Sequence, residues 1–409
     1  MYTGHKFRLY PTNEQKEALD NAFGCSRWYW NYSLELCQKT FQETGKGLTR
    51  NKIQSLLPKL KKEHEWLKTD VYSQCLQVVA LNLSTAYKNF FEKRSGFPRF
   101  KSRKGKQSIS YPQNTKIKQD CIHFPKLGDI YCRFTKEVEG EVKMMTISKT
   151  PEQKYFVSIG VDDKLDAPHL SSDGKAIGID VGLLDFCVTS DGSKYNNPKH
   201  WNKHYKKLKR RQQKLSKKAK GAEGTSPQAL DFKSSEQRGS INRNKARLAV
   251  SKVHGKIARC REDFLHKLSR KIVNENQVIA VENLNIKSMV KNHNLAKAIN
   301  DVGWGMFCTM LKYKSEREGK VYLEVDRFFP SSKTCNKCLH VIDKMPLDIR
   351  QWQCPKCEIQ HDRDVNAARN IRDEALRILA VGRIATASGD NVRRAVGDIS
   401  YLTDAIVGE

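Results

Sequence analysis

Four cysteines near the C-terminus constrain the fold of this chain more sharply than any other feature. Cys335 and Cys338 are separated by two residues, as are Cys354 and Cys357, and fifteen residues lie between the pairs. That spacing is the signature of a two-knuckle zinc ribbon. Each C-x2-C turn sets two thiolates on one side of a tetrahedron, and a hairpin between the pairs brings the other two across. Four thiolates crowd together only around a metal, and the bound metal then contributes folding free energy. A redox C-x2-C is the competing reading, but two spaced pairs outside a thioredoxin-like pattern disfavour it. His340 and His361 are nearby substitutes for a ligand, and the four-cysteine set is preferred to them. The other eight cysteines (Cys25, Cys37, Cys75, Cys121, Cys132, Cys187, Cys260 and Cys308) are scattered through helical or strand-like patterns. They read as free thiols of a reducing cytosol.

Charge narrows the class of partner. The 409 residues include 74 Lys and Arg against 45 Asp and Glu, a formal net charge of +29. A surplus of that size points to a polyanion, most commonly nucleic acid, because each neutralised phosphate releases condensed counterion. Mean hydropathy is −0.66, and no apolar run approaches the roughly 18–20 residues of a membrane span. The opening residues Met1–Arg8 lack the apolar segment of a secretory signal. Membrane-embedded and secreted proteins are therefore not expected, and the length suggests two or three domains.

Periodicity divides the chain further. Residues 6–10 alternate like a short strand that stops at Pro11, with Thr12 or Asn13 placed to cap a helix. The pattern is then helical to about residue 95, including a long helix from about Val71 to Phe91. After Gly96-Phe97-Pro98 the period changes to short strands: Ser108–Tyr111, Ile122–Phe124, Ile130–Phe134, Val142–Ser148 and Tyr155–Val161. Such a series suggests a small barrel or sandwich. The Ser/Asp/Gly/Pro-rich stretch Asp162–Lys175 is the natural linker. Beyond it the chain reads as α/β, with strands at 176–182, 186–189, 278–281 and 320–325 and helices at about 244–274 and 305–314. Residues 199–220 hold eleven Lys or Arg and no acid. An irregular insert spans Gly221–Gly239, and the tail from about 386 has no strong period.

Three carboxylates stand out in the α/β region. Asp180 lies within an apolar strand between Gly178 and Gly182, Glu282 closes the Val278–Val281 strand, and Asp364 opens a helix. An acid in a buried strand is costly unless compensated. Two Mg²⁺ (or Mn²⁺) ions about 3.5–4 Å apart compensate it and serve phosphodiester hydrolysis, clamping the attacking and leaving oxygens. Singly, each acid has an ordinary account: a solvated strand end, an N-cap, or the Gly-x-Asp-x-Gly strand of an actin-like nucleotide site. In the order strand-Asp, strand-Glu, helix-Asp they favour an RNase H-like nuclease.

The segments Phe329-Pro330-Ser331-Ser332-Lys333-Thr334-Cys335, Trp352-Gln353-Cys354-Pro355-x-Cys357 and His361-Asp362-Arg363-Asp364-Val365-Asn366-Ala367-Ala368-Arg369-Asn370-Ile371 closely resemble the TnpB family. These are RNA-guided DNA endonucleases encoded by insertion sequences and related to type V CRISPR effectors. Further matches are Gly178-Ile179-Asp180-Val181-Gly182, Val281-Glu282-Asn283-Leu284, Tyr313-Lys314, Arg8-Leu9-Tyr10-Pro11 and Gly24-Cys25-Ser26-Arg27, so the resemblance spans nearly the whole chain. Family ribbons often carry Gly after the second Cys of each knuckle, whereas Leu339 and Glu358 stand there here.

The resemblance implies an α/β multidomain protein: a wedge β-barrel from 1–10 and 96–172, a helical recognition domain over 11–95, and a RuvC nuclease domain from 173–334 and 358–385. A zinc ribbon over 335–357 is inserted in the nuclease domain, and a loose tail follows over 386–409. It implies Asp180, Glu282 and Asp364 as catalytic acids holding two Mg²⁺, a structural Zn²⁺ on the four cysteines, and a prokaryotic cytoplasm, close to the nucleoid. One protein would bind one guide RNA from the transposon end and cut double-stranded DNA beside a short target-adjacent motif. Guide pairing supplies sequence specificity, so the protein needs backbone contacts and a short DNA reader. Lys207, Arg210, Arg211, Arg247, Lys252, Lys256 and Arg259 suit phosphate tracking, and Gln74 and Gln77 suit adenine edges. Trp28, Trp30 and Tyr32 have the chemistry to stack on bases, with core packing the better account. A nuclease-inactive RNA-guided repressor shares the scaffold, but all three acids are present. A DNA-strand transferase would join ends rather than only cut. A compact type V effector is close kin, told apart by flanking DNA.

Overall fold

The computed structural model describes residues 1–166, 168–220, 241–346 and 348–387. The insert expected at 221–239 and nearly all of the expected tail lie outside them. The chain separates into two compact units, Met1–Asp166 and Ala167–Glu409.

In the first unit, β1 (Tyr2–Tyr10) ends at Pro11 and Thr12 starts α1 (Asn13–Thr44). The Thr12 hydroxyl accepts from the Gln15 N–H and the Gln15 side chain accepts from the Thr12 N–H, a reciprocal capping box. Gly45 closes the helix in the left-handed region at φ 69°. Short helices α2 (Arg50–Ser55), α3 (Leu57–Glu63) and α4 (Trp66–Thr69) lead to α5 (Ser73–Phe91). Six strands follow: β2 (Gln107–Tyr111), β3 (Lys116–Ile117), β4 (Cys121–Phe124), β5 (Gly128–Arg133), β6 (Glu141–Lys149) and β7 (Tyr155–Asp162).

All seven strands form one antiparallel sheet ordered β2-β6-β7-β1-β5-β4-β3. No ladder joins β2 to β3 among the described residues, so the hydrogen bonding leaves two edges where a closed barrel would have none. Helices and sheet share a core in which Phe7 and Leu9 meet Leu19, Phe23, Leu76, Leu83, Ile147 and Val157. Trp28 is packed against Tyr32, His64 and Trp66, with ring centroids 4.8–5.2 Å apart. These aromatics complete the helical core.

The second unit begins with β8 (Ala176–Val181), β9 (Asp185–Thr189) and β10 (Lys194–Asn196), followed by α6 (His200–Lys220) and α7 (Ile241–Glu275). Then come β11 (Val278–Glu282), α8 (Ile286–Met289), α9 (His293–Val302), α10 (Trp304–Arg317) and β12 (Val321–Val325). The ribbon strands β13 (Gln351–Gln353) and β14 (Gln360–Asp362) precede α11 (Arg363–Ala387). The main sheet runs β10-β9-β8-β11-β12, antiparallel through the first three strands and parallel from β8 to β12.

Alternation along the parallel strands sends residues to opposite faces. Ile177, Ile179, Ile279 and Val281 pack with Leu268 and Ile272 of α7 and Phe307 and Leu311 of α10. Val278 and Ala280 pack on the other face with Ile371 and Ala375 of α11. Gly178 lies on the α11 side, where an added Cβ would sit 2.0 Å from the Ala368 carbonyl oxygen and 2.6 Å from the Arg372 nitrogen. Backbone is in the way, so no side-chain adjustment relieves the clash. We expect Gly178→Ala to destabilise the second unit by about 1–3 kcal/mol through overpacking, read as a lower urea midpoint. An unchanged midpoint would mean that α11 has slack to move.

Candidate nuclease centre and zinc ribbon

Strand parity brings the three predicted acids to one place. Asp180 follows Gly178 on the α11 face of β8, and Glu282 continues the Val278, Ala280 series at the carboxyl end of β11. The register that pairs Ile179 with Val281 makes Asp180 and Glu282 neighbours on adjacent parallel strands. Asp364 comes in from the first turn of α11, against β8. Burial, then the Glu282 and Asp364 charges, push the Asp180 carboxyl well above its usual range, against the opposing pull of Arg363 and Arg350. Burial alone pushes Glu282 upward. Glu282 also lines a cavity of about 230 Å³ with Asn283, Trp304, Lys312 and Glu324.

The chemistry of this donor set fits hard divalent cations. Asp180 and Glu282 lie beside Asp364 where burial makes their own ionisation unfavourable without added positive charge, and oxygen ligands select Mg²⁺ or Mn²⁺ over softer metals. Asp364 already attracts a cation: the Arg350 guanidinium contacts both its oxygens at 3.1 and 3.2 Å.

Further residues hold Asp364 in position, and the sequence reading assigned them no role. Asp362 Oδ1 accepts from the backbone N–H groups of Asp364 and Val365, both at 3.1 Å, and so caps α11. Its Oδ2 pairs with Lys194 Nζ at 2.6 Å, tying the helix start to β10. An Asp just before an apolar helical run is a cap signal, but the neighbouring Asp364 masked it.

The four predicted zinc ligands come together as expected. Cys335 and Cys357 sulfurs are 3.6 Å apart, as are those of Cys338 and Cys354. Tetrahedral Zn–S bonds of about 2.3 Å require sulfurs at nearly that spacing. Burial opposes ionisation of Cys354, but N–H donors from Cys357 and Lys356 outweigh it and bring the thiol down to about 6. Cys335 and Cys357 are instead pushed up, so it is the sulfur spacing that suits a structural zinc. His361 Nε2 lies 3.1 Å from Cys335 Sγ, beside the cluster rather than within it, and its ring packs on Trp352. Leu339 and Glu358 both adopt left-handed φ, 60° and 59°. Their N–H groups donate to the Cys335 and Cys354 carbonyls at 2.9 Å, closing each knuckle and enforcing that backbone.

A buried amide lock fastens the ribbon to α11. Asn366 Nδ2 donates to the Thr334 carbonyl at 2.7 Å, and its Oδ1 accepts from the Asn336 N–H at 3.0 Å. Asn370 Nδ2 donates to the Ser331 and Thr334 carbonyls at 2.7 and 2.6 Å, and its Oδ1 accepts from Asn336 Nδ2 at 3.1 Å. Both helix asparagines are almost fully buried. Their four-residue spacing puts them on one face of α11, which is the signal that Asn366 and Asn370 offered in the sequence.

The predicted nucleic-acid contacts lie on other elements. Lys207, Arg210 and Arg211 are on α6, and Arg247, Lys252, Lys256 and Arg259 on α7. All but the half-buried Arg211 are exposed. The two helices pack through Leu208, Val253 and Ile257. Gln74 and Gln77 occupy the first turns of α5; Gln77 is exposed, while Gln74 Oε1 is buried without a partner among the described residues.

Two expectations follow. Asn370→Ala strands the Ser331 carbonyl and leaves the Thr334 carbonyl with Asn366 alone and the Asn336 amide with Asp373 alone, lowering the stability of the second unit by about 1–3 kcal/mol while metal analysis still finds one zinc per chain. Leu339→Gly or Glu358→Gly relieves about 1–2 kcal/mol of left-handed strain, partly offset by unfolded-state entropy. Each should slow zinc loss to a chelator; faster loss would contradict the strain argument.

Comparison with known proteins agrees with this architecture. The OrfB family described as "Probable transposase" matches residues 154–293, and a "Cas12f1-like, TNB domain" matches 304–371. A "Helix-turn-helix domain" matches residues 1–46, where the structure has one strand and one uninterrupted helix. A Streptomyces pristinaespiralis protein named "Putative RNA-guided DNA endonuclease" is 37% identical, covering 95% of this chain and 91% of its own. An Escherichia coli K12 protein of the same description, InsQ, is 30% identical over 93% of this chain and 94% of its own. Among solved structures, one titled as a Cas12f1-sgRNA-target DNA complex shares the fold at TM-score 0.54 and 14% identity, over 91% of this chain and 98% of that one. With relatives this similar along nearly its full length, the chain belongs to the TnpB family, which is related to the type V effectors.

Proposed function

We propose that this protein is an RNA-guided DNA endonuclease of an insertion sequence, cutting double-stranded DNA beside a short target-adjacent motif. The observation that carries the proposal is the convergence of Asp180 and Glu282, at the carboxyl ends of adjacent parallel strands, with Asp364 from the first turn of α11, where burial makes the charges of the two strand acids unfavourable without cations. The near-full-length similarity to relatives named as RNA-guided DNA endonucleases supplies the substrate class. The strand order, with three antiparallel strands leading into a parallel pair, supports a RuvC-type, RNase H-like nuclease domain.

The division of work follows from the residues. Asp180, Glu282 and Asp364 would hold two Mg²⁺, which when bound activate a water and neutralise charge on the scissile phosphate. Asp362 and Lys194 orient the first turn of α11, so that Asp364 faces the strand acids. Arg350 and Arg363 add positive charge beside a centre that must accept a polyanion. The exposed cations of α6 and α7 would follow the backbone of a guide RNA paired with target DNA, contacts that carry no sequence information. Gln77, with Gln74 beside it, would read base edges of the target-adjacent motif. A guide RNA from the transposon end, one per protein, would supply sequence specificity. The zinc ribbon would stabilise α11 and take no part in the chemistry.

The test is Asp180→Ala assayed with guide RNA, matching duplex and Mg²⁺. Cleavage should fall to background while guide-dependent duplex binding stays within a few-fold of wild type. Persistent cleavage would remove Asp180 from the catalytic set. Loss of binding would assign Asp180 a structural role.

A further inference from the structure

The first unit contains a basic loop that is held far more firmly than solvated lysines require. Five of the eight residues 99–106 are Arg or Lys. Side chains from two elements fix the loop backbone. Trp30 Nε1 donates to the Arg99 carbonyl at 3.0 Å. Asn31 accepts the Lys101 N–H at 2.7 Å and donates to the Lys101 carbonyl at 2.9 Å. Gln107 Nε2 gathers the carbonyls of Arg103 and Gly105, both at 3.0 Å, while its Oε1 accepts from Arg27 Nη1 at 3.1 Å.

The loop borders a cavity of about 60 Å³ between α1, α5 and β2. Arg27, Lys101 and Lys106 line it, and none of its described lining residues is acidic. Ser26 also lines it, and its hydroxyl is buried without a partner among the described residues. Lys101 and Lys106 are exposed as whole residues, but desolvation beside the Trp30 ring, then the Lys106 charge, bring the Lys101 amine down to about 8. That amine also lies 3.7 Å from the Trp30 ring centroid. Like charges held together in a concave site with a spare hydroxyl donor call for an anion. The volume admits a few waters, the bulk of one phosphate group rather than a nucleoside.

We propose that Arg27, Lys101, Lys106 and Ser26 form a fixed site for one backbone phosphate of a nucleic acid strand. The site rests on the reading that the protein handles nucleic acid, but not on the nuclease chemistry. Its donors would grip a phosphodiester without reading a base, fixing register in the way that backbone contacts do.

The experiment uses the full chain, without added divalent metal, binding labelled single-stranded RNA and, separately, labelled duplex DNA across a KCl series. The pair Lys101→Met and Lys106→Met keeps the apolar stems and removes both charges. On the strand that occupies the site, the slope of log K against log [KCl] should fall by about 0.9 for duplex DNA or about 0.7 for single-stranded RNA. The pair Lys101→Arg and Lys106→Arg should restore it. Unchanged slopes on both nucleic acids, at an unchanged melting temperature, would overturn the proposal. So would an equal drop from the exposed pair Lys46→Met and Lys62→Met. If the wild-type chain itself showed no salt-dependent binding, the nucleic-acid reading would fail; a steep wild-type slope matched by the Met pair would fail this site alone.

Discussion

Helix α11 reaches strand β8 only because Gly178 has no side chain. The approach puts the Ala368 carbonyl where any other residue's Cβ would be, and two consecutive alanines, Ala367 and Ala368, keep the helix face thin. From that contact the geometry of the acids follows. Asp180, two residues past Gly178, must face the same helix, and Asp364, one turn before Ala368, must face the strand. The two motifs lie far apart in sequence and fit together as the two halves of a single packing contact. Neither is intelligible alone: the glycine would be a packing penalty and the alanines a featureless helix face.

The amide lock extends this logic to the metal cluster. Asn366 and Asn370 point away from the acids and satisfy the backbone of the first cysteine knuckle. A buried polar network is stabilising when every member is partnered and costly when one is lost. The ribbon therefore holds α11 in register from one side while the β8 contact holds it from the other. Zinc held by the four thiols would be felt at Asp364 through position alone.

Much of this was legible in the sequence, for physical reasons that can be named. The cysteine spacing encodes a local geometry, so the ribbon could be read directly. The acids could be read because a charge in an apolar strand conflicts with its surroundings, and conflict is visible without a structure. The helix and strand assignments that were made followed from periodicity, whereas the short strands β3 and β10 and the helices α6, α8 and α9 were not assigned from it. What stayed hidden was polar and long-range. Asp362 and Lys194 meet across more than 160 residues, and Asn366 reads as an ordinary helix residue until its partner Thr334 is known. The sequence carried no signal for the locked loop 99–106, because its anchors Trp30 and Asn31 lie on α1, 69 and 70 residues from the carbonyls they hold, and Gln107 lies on β2. Closure of the strands into a barrel was the natural expectation from their number. The ladders stop at β2 and β3 instead.

The positive charge that marked the chain from the outset has structure within it. Part lies on the paired faces of α6 and α7, part on the anchored loop, and part as Arg350 and Arg363 beside the acids. A chain that grips a guide and its target through backbone charge should leave the cell with its nucleic acid attached. The most direct measurement is to purify the intact protein, sequence the RNA that accompanies it, and supply Mg²⁺ with a duplex matching that RNA's unpaired segment. The account predicts one enriched RNA species that directs cutting to the matching duplex and spares a mismatched one. An RNA-free preparation, or cutting indifferent to the RNA sequence, would contradict it.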